Sequence, residues 1–198
     1  MKNRDNISEL LKLDIDFMGF IFYPKSKRYV VDEGISDFIS KINTVKKVGV
    51  FVNEKGKNIL KYARQYKLDY IQLHGDETPE ICRFFYNEGF KIIKAFQVNE
   101  NFNFNICDAY NEVCDYFLFD TKSTQYGGSG QQFDWSLLEE YQNEKPYFLS
   151  GGISINDADK IKKISDKRLA VIDINSRFEN KNGLKNVEEI AKFINKIK

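Results

Sequence analysis

Seven short apolar runs recur along this chain, and their spacing restricts the possible folds more than any other feature of the sequence. Each run is continuous or nearly so rather than alternating, which is typical of strands that are covered on both faces of a parallel sheet. Amphipathic stretches of helical length lie between the runs. The predicted strands are Phe17–Phe22, Val48–Val52, Tyr70–Leu73, Ile92–Val98, Tyr116–Phe119, Tyr147–Leu149 and Ala170–Ile174.

This alternation of strands and helices predicts an α/β protein with a parallel sheet, because no Pro-, Gly- or Ser-rich linker divides the 198 residues. The predicted strands begin about 25 residues apart, and eight such units need about 200 residues, the lower end of the (β/α)8 barrels. An open doubly wound sheet is the alternative, but no G-x-G-x-x-G follows the first predicted strand. We therefore predict one domain, residues 1–198, of the (β/α)8 TIM-barrel type. It begins with a helix, Asn6 to Lys12, instead of a strand.

Charge and composition argue against several classes of function. Lys+Arg 30 against Asp+Glu 29 leaves a net charge of +1, so we expect neither nucleic acid nor an anionic membrane as a partner. The apolar runs are far shorter than the roughly 20 residues of a membrane span, and no leader pattern follows Met1, so we expect a cytoplasmic protein. Three cysteines without a C-x-x-C pair and a single histidine give no support for a disulfide framework or a metal site.

Polar residues gather where the predicted strands end, which is where barrel enzymes carry their functional groups. Arg28 is suited to hold a substrate carboxylate, although a solvated surface charge is the alternative. His74 is either a functional residue or a structural hydrogen-bonding residue. Asp120 is either a catalytic acid or a turn former. The long loop after Asp120, with its glycines in Gly127–Gly130, favours a mobile lid over a catalytic acid.

The ends of the last two predicted strands indicate an anion site. Gly151 and Gly152 allow main-chain N–H groups to approach an anion closely, and Asn175 and Ser176 supply further donors on the neighbouring strand end. The loops after the last two strands of such barrels are the usual place for a phosphate. The alternative is that the two glycines only turn the chain. We expect a phosphorylated small molecule here, without a metal or a cofactor.

Six stretches resemble the phosphoribosylanthranilate isomerase family, and together they run over nearly the whole chain. The strings G-F-x-F-Y-x-x-S-x-R-Y-V and Q-L-H-G-D-E are the most specific. The six stretches are Met18–Val30, Lys47–Asn53, Ile71–Glu77, Phe119–Trp135, Ser150–Ile153 and Asp173–Ser176. The resemblance implies an eight-stranded barrel and an isomerase of tryptophan biosynthesis. Its reaction is the Amadori rearrangement of N-(5′-phosphoribosyl)anthranilate to 1-(2-carboxyphenylamino)-1-deoxyribulose 5-phosphate, without a cofactor.

The resemblance also implies residue roles. Asp120 corresponds to the catalytic acid that opens the ribose ring, and Arg28 to the partner of the anthranilate carboxylate. Gly152 and Ser176 correspond to phosphate ligands, and Asp173 lines the site. The predicted substrate-binding residues are Arg28, His74, Gly151, Gly152, Asp173, Asn175 and Ser176. We expect a monomer or a homodimer.

The chain departs from the resemblance in ways that leave alternatives open. The family's first strand ends in Lys-x-Cys-Gly, whose cysteine is the base, whereas Met1–Asp5 matches the residues that normally come after that string. We therefore expect the first strand and the base to be missing and turnover to be impaired. Arg177 also stands where the phosphate loop usually has glycine. One alternative is a barrel that binds a phosphorylated ligand without turnover. Another is a different phosphate-binding barrel enzyme, such as indole-glycerol-phosphate synthase, with Lys94 as its additional lysine.

Overall fold

A computed structural model describes residues 1–30, 33–121, 132–180 and 183–198, and its centre is one parallel sheet of seven strands. The strands are β1 (Phe17–Ile21), β2 (Lys46–Phe51), β3 (Tyr70–Leu73), β4 (Lys91–Val98), β5 (Tyr116–Thr121), β6 (Tyr147–Leu149) and β7 (Leu169–Ile172). They lie side by side in the order in which they occur in the chain. The sheet therefore has no point at which the strand order reverses, which excludes the doubly wound alternative. The predicted order of a barrel is confirmed.

Helices connect successive strands and cover the outer face of the sheet. The α-helices are α1 (Arg4–Leu10), α2 (Glu33–Ser40), α3 (Gly56–Gln65), α4 (Pro79–Asn87), α5 (Ala158–Lys162) and α6 (Val187–Ile197). The 3₁₀ helices are Phe104–Val113, Trp135–Glu140, Ile155–Asp157 and Ser176–Phe178. Asn186 caps α6 by accepting a hydrogen bond from the main-chain nitrogen of Glu189 at 3.2 Å, which explains where this helix begins. Within the described ranges, no helix has the length and apolar character needed to cross a membrane.

Apolar side chains are buried on both faces of the sheet, which is why its strands are continuous apolar runs in the sequence. Side chains alternate between the two faces along each strand. One face forms a compact cluster enclosed by the curled sheet, with Val48, Tyr70, Ile93, Ala95, Leu118 and Phe148 at its centre. The other face joins a larger cluster beneath the helices, which includes Phe20, Phe51, Ile71, Phe119 and Phe193.

The sheet remains open between its first and last strands, a boundary that we call the open seam. Phe22 donates its main-chain N–H to Val50 O in β2 at 2.8 Å. Because successive residues of a strand direct their main-chain groups to opposite edges, Gly19, three residues earlier, directs its groups away from β2. In the part of the chain that the structure describes, no strand pairs with this edge of β1 or with the outer edge of β7. The main-chain nitrogen of Met1 donates to Gly19 O at 2.8 Å.

Side chains and helices bridge the open seam in place of a strand ladder. Helices α1 and α6 lie in contact across it. Asn6 Nδ2 donates to Lys185 O at 2.9 Å, and the main-chain nitrogen of Lys185 donates to Asn6 Oδ1 at 2.8 Å. Above this pair, Arg28 and Glu179 form an ion pair between the segment after β1 and the segment after β7. The side-chain contacts that bridge the open seam therefore lie mainly at the rim where the strands end.

Candidate active site

A cavity of about 430 Å³ opens where the strands end and extends along the open seam to the side chains of α6. All eight residues that the sequence predicts for the site line this cavity. They are Arg28, His74, Asp120, Gly151, Gly152, Asp173, Asn175 and Ser176. They meet because the carboxyl ends of parallel strands share one rim. The predicted lid, Gly127–Gly130, lies outside the described residues.

A hydrogen-bonded chain leads from β3 to the carboxyl group in β5. Gln72 Nε2 lies 2.7 Å from His74 Nδ1, and because an amide nitrogen only donates, this ring nitrogen accepts. The proton of the neutral imidazole then lies on His74 Nε2, which donates to Asp120 Oδ2 at 3.2 Å. Asp120 Oδ1 accepts from the main-chain nitrogen of Thr121 at 2.8 Å. Both oxygens of Asp120 are thus held in fixed positions at the cavity.

A second carboxyl group, that of Asp173, follows β7 and faces the same cavity. Ser150 Oγ donates to Asp173 Oδ2 at 2.9 Å. Burial raises the pKa of Asp173 above its ordinary value, and the negative charge of Asp120 acts in the same direction. The hydrogen bond from Ser150 and the charge of Lys185 oppose this rise in pKa. Two carboxyl groups therefore share one cavity in unequal surroundings.

The glycines after β6 permit a close approach between two strand ends. Gly151 has a φ of 97° and Gly152 a φ of 64°, both in the region that glycine favours. A Cβ atom on Gly151 would lie 2.3 Å from Thr121 Oγ1 and 3.0 Å from Asp120 Oδ1. A side chain at position 151 would therefore displace the carboxyl group of Asp120 or the strand that carries it. Gly151 has a positioning role in addition to presenting its main chain to the cavity.

A cluster of charged residues lies next to the open seam, and two of its members, Arg28 and Lys185, line the cavity. Arg28 Nε and Nη2 donate to the two carboxylate oxygens of Glu179 at 2.5 and 2.7 Å, which leaves Nη1 outside this pair. Lys185 Nζ donates to Glu179 Oε1 at 2.8 Å and to Asn175 O and Oδ1 at 2.8 and 2.5 Å. Burial alone would raise the pKa of Glu179, but the two cations hold it below its ordinary value. The cluster carries one net positive charge and favours an anionic ligand.

Four residues that shape this site were not predicted as site residues: Gln72, Ser150, Glu179 and Lys185. Gln72 could have been predicted from the sequence, because it is a polar residue inside an otherwise apolar strand. The structure shows that it is buried. Glu179 and Lys185 could not have been predicted, because Arg28 and Glu179 are 151 residues apart in the sequence. Only the topology that places β1 and β7 at the two edges of the open seam brings them together.

Lys94, the candidate for the additional lysine of a synthase, does not line the cavity. Its buried Nζ donates to Gly75 O at 2.6 Å and pairs with Glu77 Oε2 at 3.3 Å. Glu77 also accepts from the main-chain nitrogen of Asn53 at 2.7 Å. This buried pair fixes the turn that follows β3. It removes the feature that pointed to a synthase.

The three cysteines, Cys82, Cys107 and Cys114, are buried, and none of them lines the cavity. Burial raises the pKa of the Cys107 thiol to about 12. Nor does the described part of the chain contain a group of three His, Cys, Asp or Glu side chains that could hold a metal ion. Among the described residues, the ionisable groups that line the cavity are therefore carboxyl groups, an imidazole, a phenol, the terminal amino group and two side-chain cations.

Comparison with known proteins relates this cavity to a family. The model of the N-(5′-phosphoribosyl)anthranilate (PRA) isomerase family matches residues 1–196. The N-(5′-phosphoribosyl)anthranilate isomerase of Parabacteroides distasonis is 43% identical over 201 residues, which cover 100% of this chain and 90% of that protein. The relative of the same name from Phocaeicola vulgatus is 39% identical over 198 residues, covering 100% of this chain and 95% of that protein.

Solved structures agree with these sequence matches. The crystal structure of phosphoribosyl anthranilate isomerase from Thermotoga maritima has a TM-score of 0.82 and 33% identity, with 100% of this chain and 95% of that chain covered. The enzyme from Thermus thermophilus, at 22% identity and a TM-score of 0.86, shares the fold. The seven parallel strands thus belong to a barrel of the TIM type, and the chain belongs to the N-(5′-phosphoribosyl)anthranilate isomerase family.

Proposed function

We propose that this chain catalyses the Amadori rearrangement of N-(5′-phosphoribosyl)anthranilate in tryptophan biosynthesis. The observation that carries the proposal is that one cavity holds both a positioned carboxyl group, Asp120, and anion-binding groups at the same rim. The substrate carries a phosphate and a carboxylate at its two ends and reacts at the ribose between them. The cavity is arranged in the same way, with anion-binding groups around a pair of carboxyl groups.

The phosphate is assigned to the rim after β6 and β7. Gly151 and Gly152 expose their main chain there, and Asn175 and Ser176 add side-chain donors. Lys185 fixes Asn175 through both its main-chain and its side-chain oxygen, so this part of the rim is ordered before a ligand arrives. A rim held in place in this way binds a phosphate with little loss of conformational entropy.

The anthranilate carboxylate is assigned to Arg28, which lines the same cavity as Asp120. Glu179 holds two of the guanidinium nitrogens, and we assign the third, Nη1, to the substrate carboxylate. Asp120 is assigned the role of the acid that protonates the ring oxygen, with His74 holding it in place. A solved phosphoribosyl anthranilate isomerase, 32% identical to this chain, is in complex with reduced 1-(o-carboxyphenylamino)-1-deoxyribulose 5-phosphate, which supports a ligand of this kind for the cavity.

We assign residues 1–198 to one domain, in agreement with a single family match over residues 1–196. A cytoplasmic location suits a substrate that carries a phosphate and a carboxylate and does not cross membranes unaided. We propose a homodimer or a monomer, since a relative from Thermotoga maritima is a dimeric enzyme whose structure was solved as monomers generated from it.

A second candidate function is binding of the same ligand without turnover. It is favoured by the absence of a thiol from the cavity lining among the described residues, since the family resemblance makes a cysteine the base. Product formation from N-(5′-phosphoribosyl)anthranilate, followed by chromatography, decides between the two candidates. We expect the unaltered chain to form product at an impaired rate, and Asp120→Asn to lose about a further 10²- to 10⁴-fold in kcat. A chain that binds the reduced product analogue yet forms no product would support the second candidate.

A further inference from the structure

Gln72 lies in β3, two residues before His74, and hydrogen-bonds to its ring, although it is neither the proposed acid nor part of the anion-binding rim. We propose that Gln72 is a positioning residue of the isomerisation, which fixes the proton of His74 on Nε2. The imidazole then donates to Asp120 and leaves the proton of this acid for the substrate. The inference rests on the proposed function, in which Asp120 is the acid, and deepens it by naming the residue that selects the form of the neighbouring imidazole.

The surroundings of Gln72 offer its side chain few other partners. Gln72 is buried, and in the parallel sheet it lies between Val50 of β2 and Ile93 of β4. Both neighbours pack in the apolar cluster inside the curled sheet. Within the described ranges, the side-chain amide has one hydrogen bond, from its Nε2 to His74 Nδ1 at 2.7 Å. A buried amide is costly without such a bond, so the contact with the ring is what compensates for a polar residue at this position.

The imidazole of His74 lies between two partners, one for each ring nitrogen. A neutral imidazole carries one proton, either on Nδ1 or on Nε2. Because Gln72 donates to Nδ1, this nitrogen keeps its lone pair, and the proton lies on Nε2. The Nε2–H group donates to Asp120 Oδ2 at 3.2 Å. Gln72 therefore acts on the acid through the ring of His74.

The other tautomer would place a lone pair, instead of a proton, next to Asp120. A ring nitrogen with a lone pair accepts the proton of a carboxylic acid, which would give an imidazolium and a carboxylate. Asp120 would then have no proton for the ring oxygen of the substrate. With the proton of His74 fixed on Nε2, neutral Asp120 keeps its own proton until the substrate takes it. The same N–H group then stabilises the carboxylate that remains, and His74 keeps its proton throughout.

The other described groups near this acid do not select a tautomer. Neutral Asp120 can donate to or accept from a ring nitrogen, so it is compatible with both forms. The main-chain nitrogen of Thr121 donates to Asp120 Oδ1 at 2.8 Å and does not contact the ring. Asp173, a second carboxyl group of the cavity, accepts from Ser150 Oγ at 2.9 Å. Gln72 is therefore the described residue that distinguishes the two ring nitrogens before the acid has reacted.

The tautomer can be measured directly, because His74 is the single histidine of the chain. In protein labelled with ¹⁵N-histidine, the two ring nitrogens give separate NMR signals, and a protonated nitrogen differs strongly in chemical shift from one with a lone pair. We expect a protonated Nε2 and an unprotonated Nδ1 at the pH of the activity assay. Gln72→Glu should place a proton on Nδ1, since a carboxylate only accepts. Gln65→Glu, the same exchange at an exposed position of α3, is the matched control and should leave both signals unchanged.

Kinetics separates a positioning role from ligand binding. Gln72→Met keeps the length of the side chain and removes the donor, so part of the imidazole takes the other tautomer. We expect kcat to fall about 10- to 10³-fold for this reason. The dissociation constant of the reduced product analogue should change less than about threefold, because the groups assigned to its phosphate and carboxylate are untouched. Gln65→Glu should leave kcat unchanged.

Three outcomes would overturn the inference. The first is a proton on Nδ1, or on both ring nitrogens, in the unaltered chain. The second is a kcat of Gln72→Met that stays within about twofold, and the third is a loss of analogue binding together with kcat in this variant. The spectrum of the unaltered chain depends on no substitution, so it decides even where a variant fails to fold. Failure of the proposed function would be distinct, since the unaltered chain would then form no product.

Discussion

The middle of the sheet and the open seam are built in different ways. Strands β4 and β5 pair from Ile93 with Tyr116 to Val98 with Thr121, and every residue of β3 is buried. At the open seam the edge strands have no such partner in the described part of the chain, and no residue of β7 is fully buried. The middle is held by main-chain ladders and apolar packing, and the seam by charged side chains at the rim. The difference suggests that the middle provides stability while the seam provides ligand contacts.

Two lysines offer the strongest test of this difference. Lys94→Met would leave the carboxylate of Glu77 buried without its cation, and we expect a loss of about 3–5 kcal/mol in the free energy of unfolding. Lys185→Met leaves Glu179 paired with Arg28, so we expect a loss of only about 1–2 kcal/mol. Urea unfolding of both variants measures the contrast. Equal losses would show that the seam is as important for stability as the middle.

Two isoleucines test the same contrast with apolar side chains. Ile93 in β4 is fully buried inside the curled sheet, and Ile93→Ala should cost about 2–5 kcal/mol, because the surrounding residues cannot fill the space. Ile172 in β7 is half-buried beside the open cavity, and Ile172→Ala should cost about 1 kcal/mol. Thermal or urea unfolding decides. A cost for Ile172→Ala that matches that of Ile93→Ala would contradict the comparison.

The seam should matter more for ligand binding than for stability. Glu179→Gln removes one charge-assisted contact from Arg28 and from Lys185, so both lose part of their fixed orientation. We expect KM to rise about tenfold, equivalent to about 1.4 kcal/mol, with kcat within about twofold. Steady-state kinetics measures both constants. A fall in kcat at unchanged KM would assign Glu179 to the chemical step instead.

The smallest expected effect concerns stability and pH. The pKa of Asp173 in the folded chain is raised, so the folded chain binds this proton more tightly than the unfolded chain does. Stability from this group is present below the ordinary pKa of 3.8 and is lost as pH rises through the raised folded value. Asp173→Asn has no such loss. Its free energy of unfolding, relative to that of the unaltered chain, should therefore increase as pH rises from the ordinary pKa of Asp173 to the raised one. Urea unfolding at several pH values measures it, and a constant difference would contradict the raised pKa.

The sequence predicted the strands well because each is covered on both faces and is therefore continuously apolar. Each of the seven predicted runs overlaps one of the seven strands, with bounds that differ by at most two residues, and the last predicted helix is α6, Val187–Ile197. The site residues could be predicted because parallel strands end at one rim. The contact of Glu179 with Arg28 could not, because it depends on long-range topology and has no local pattern. Helix α2 and the 3₁₀ segment Phe104–Val113 also lacked a clear sequence signal.

The most direct test of the proposed site is a crystal structure of this chain with the reduced product analogue bound. We predict the phosphate at Gly151–Gly152 and Asn175–Ser176, the anthranilate carboxylate at Arg28, and the sugar carbons between Asp120 and Asp173. An analogue bound elsewhere, or turned so that its phosphate meets Arg28, would contradict this arrangement.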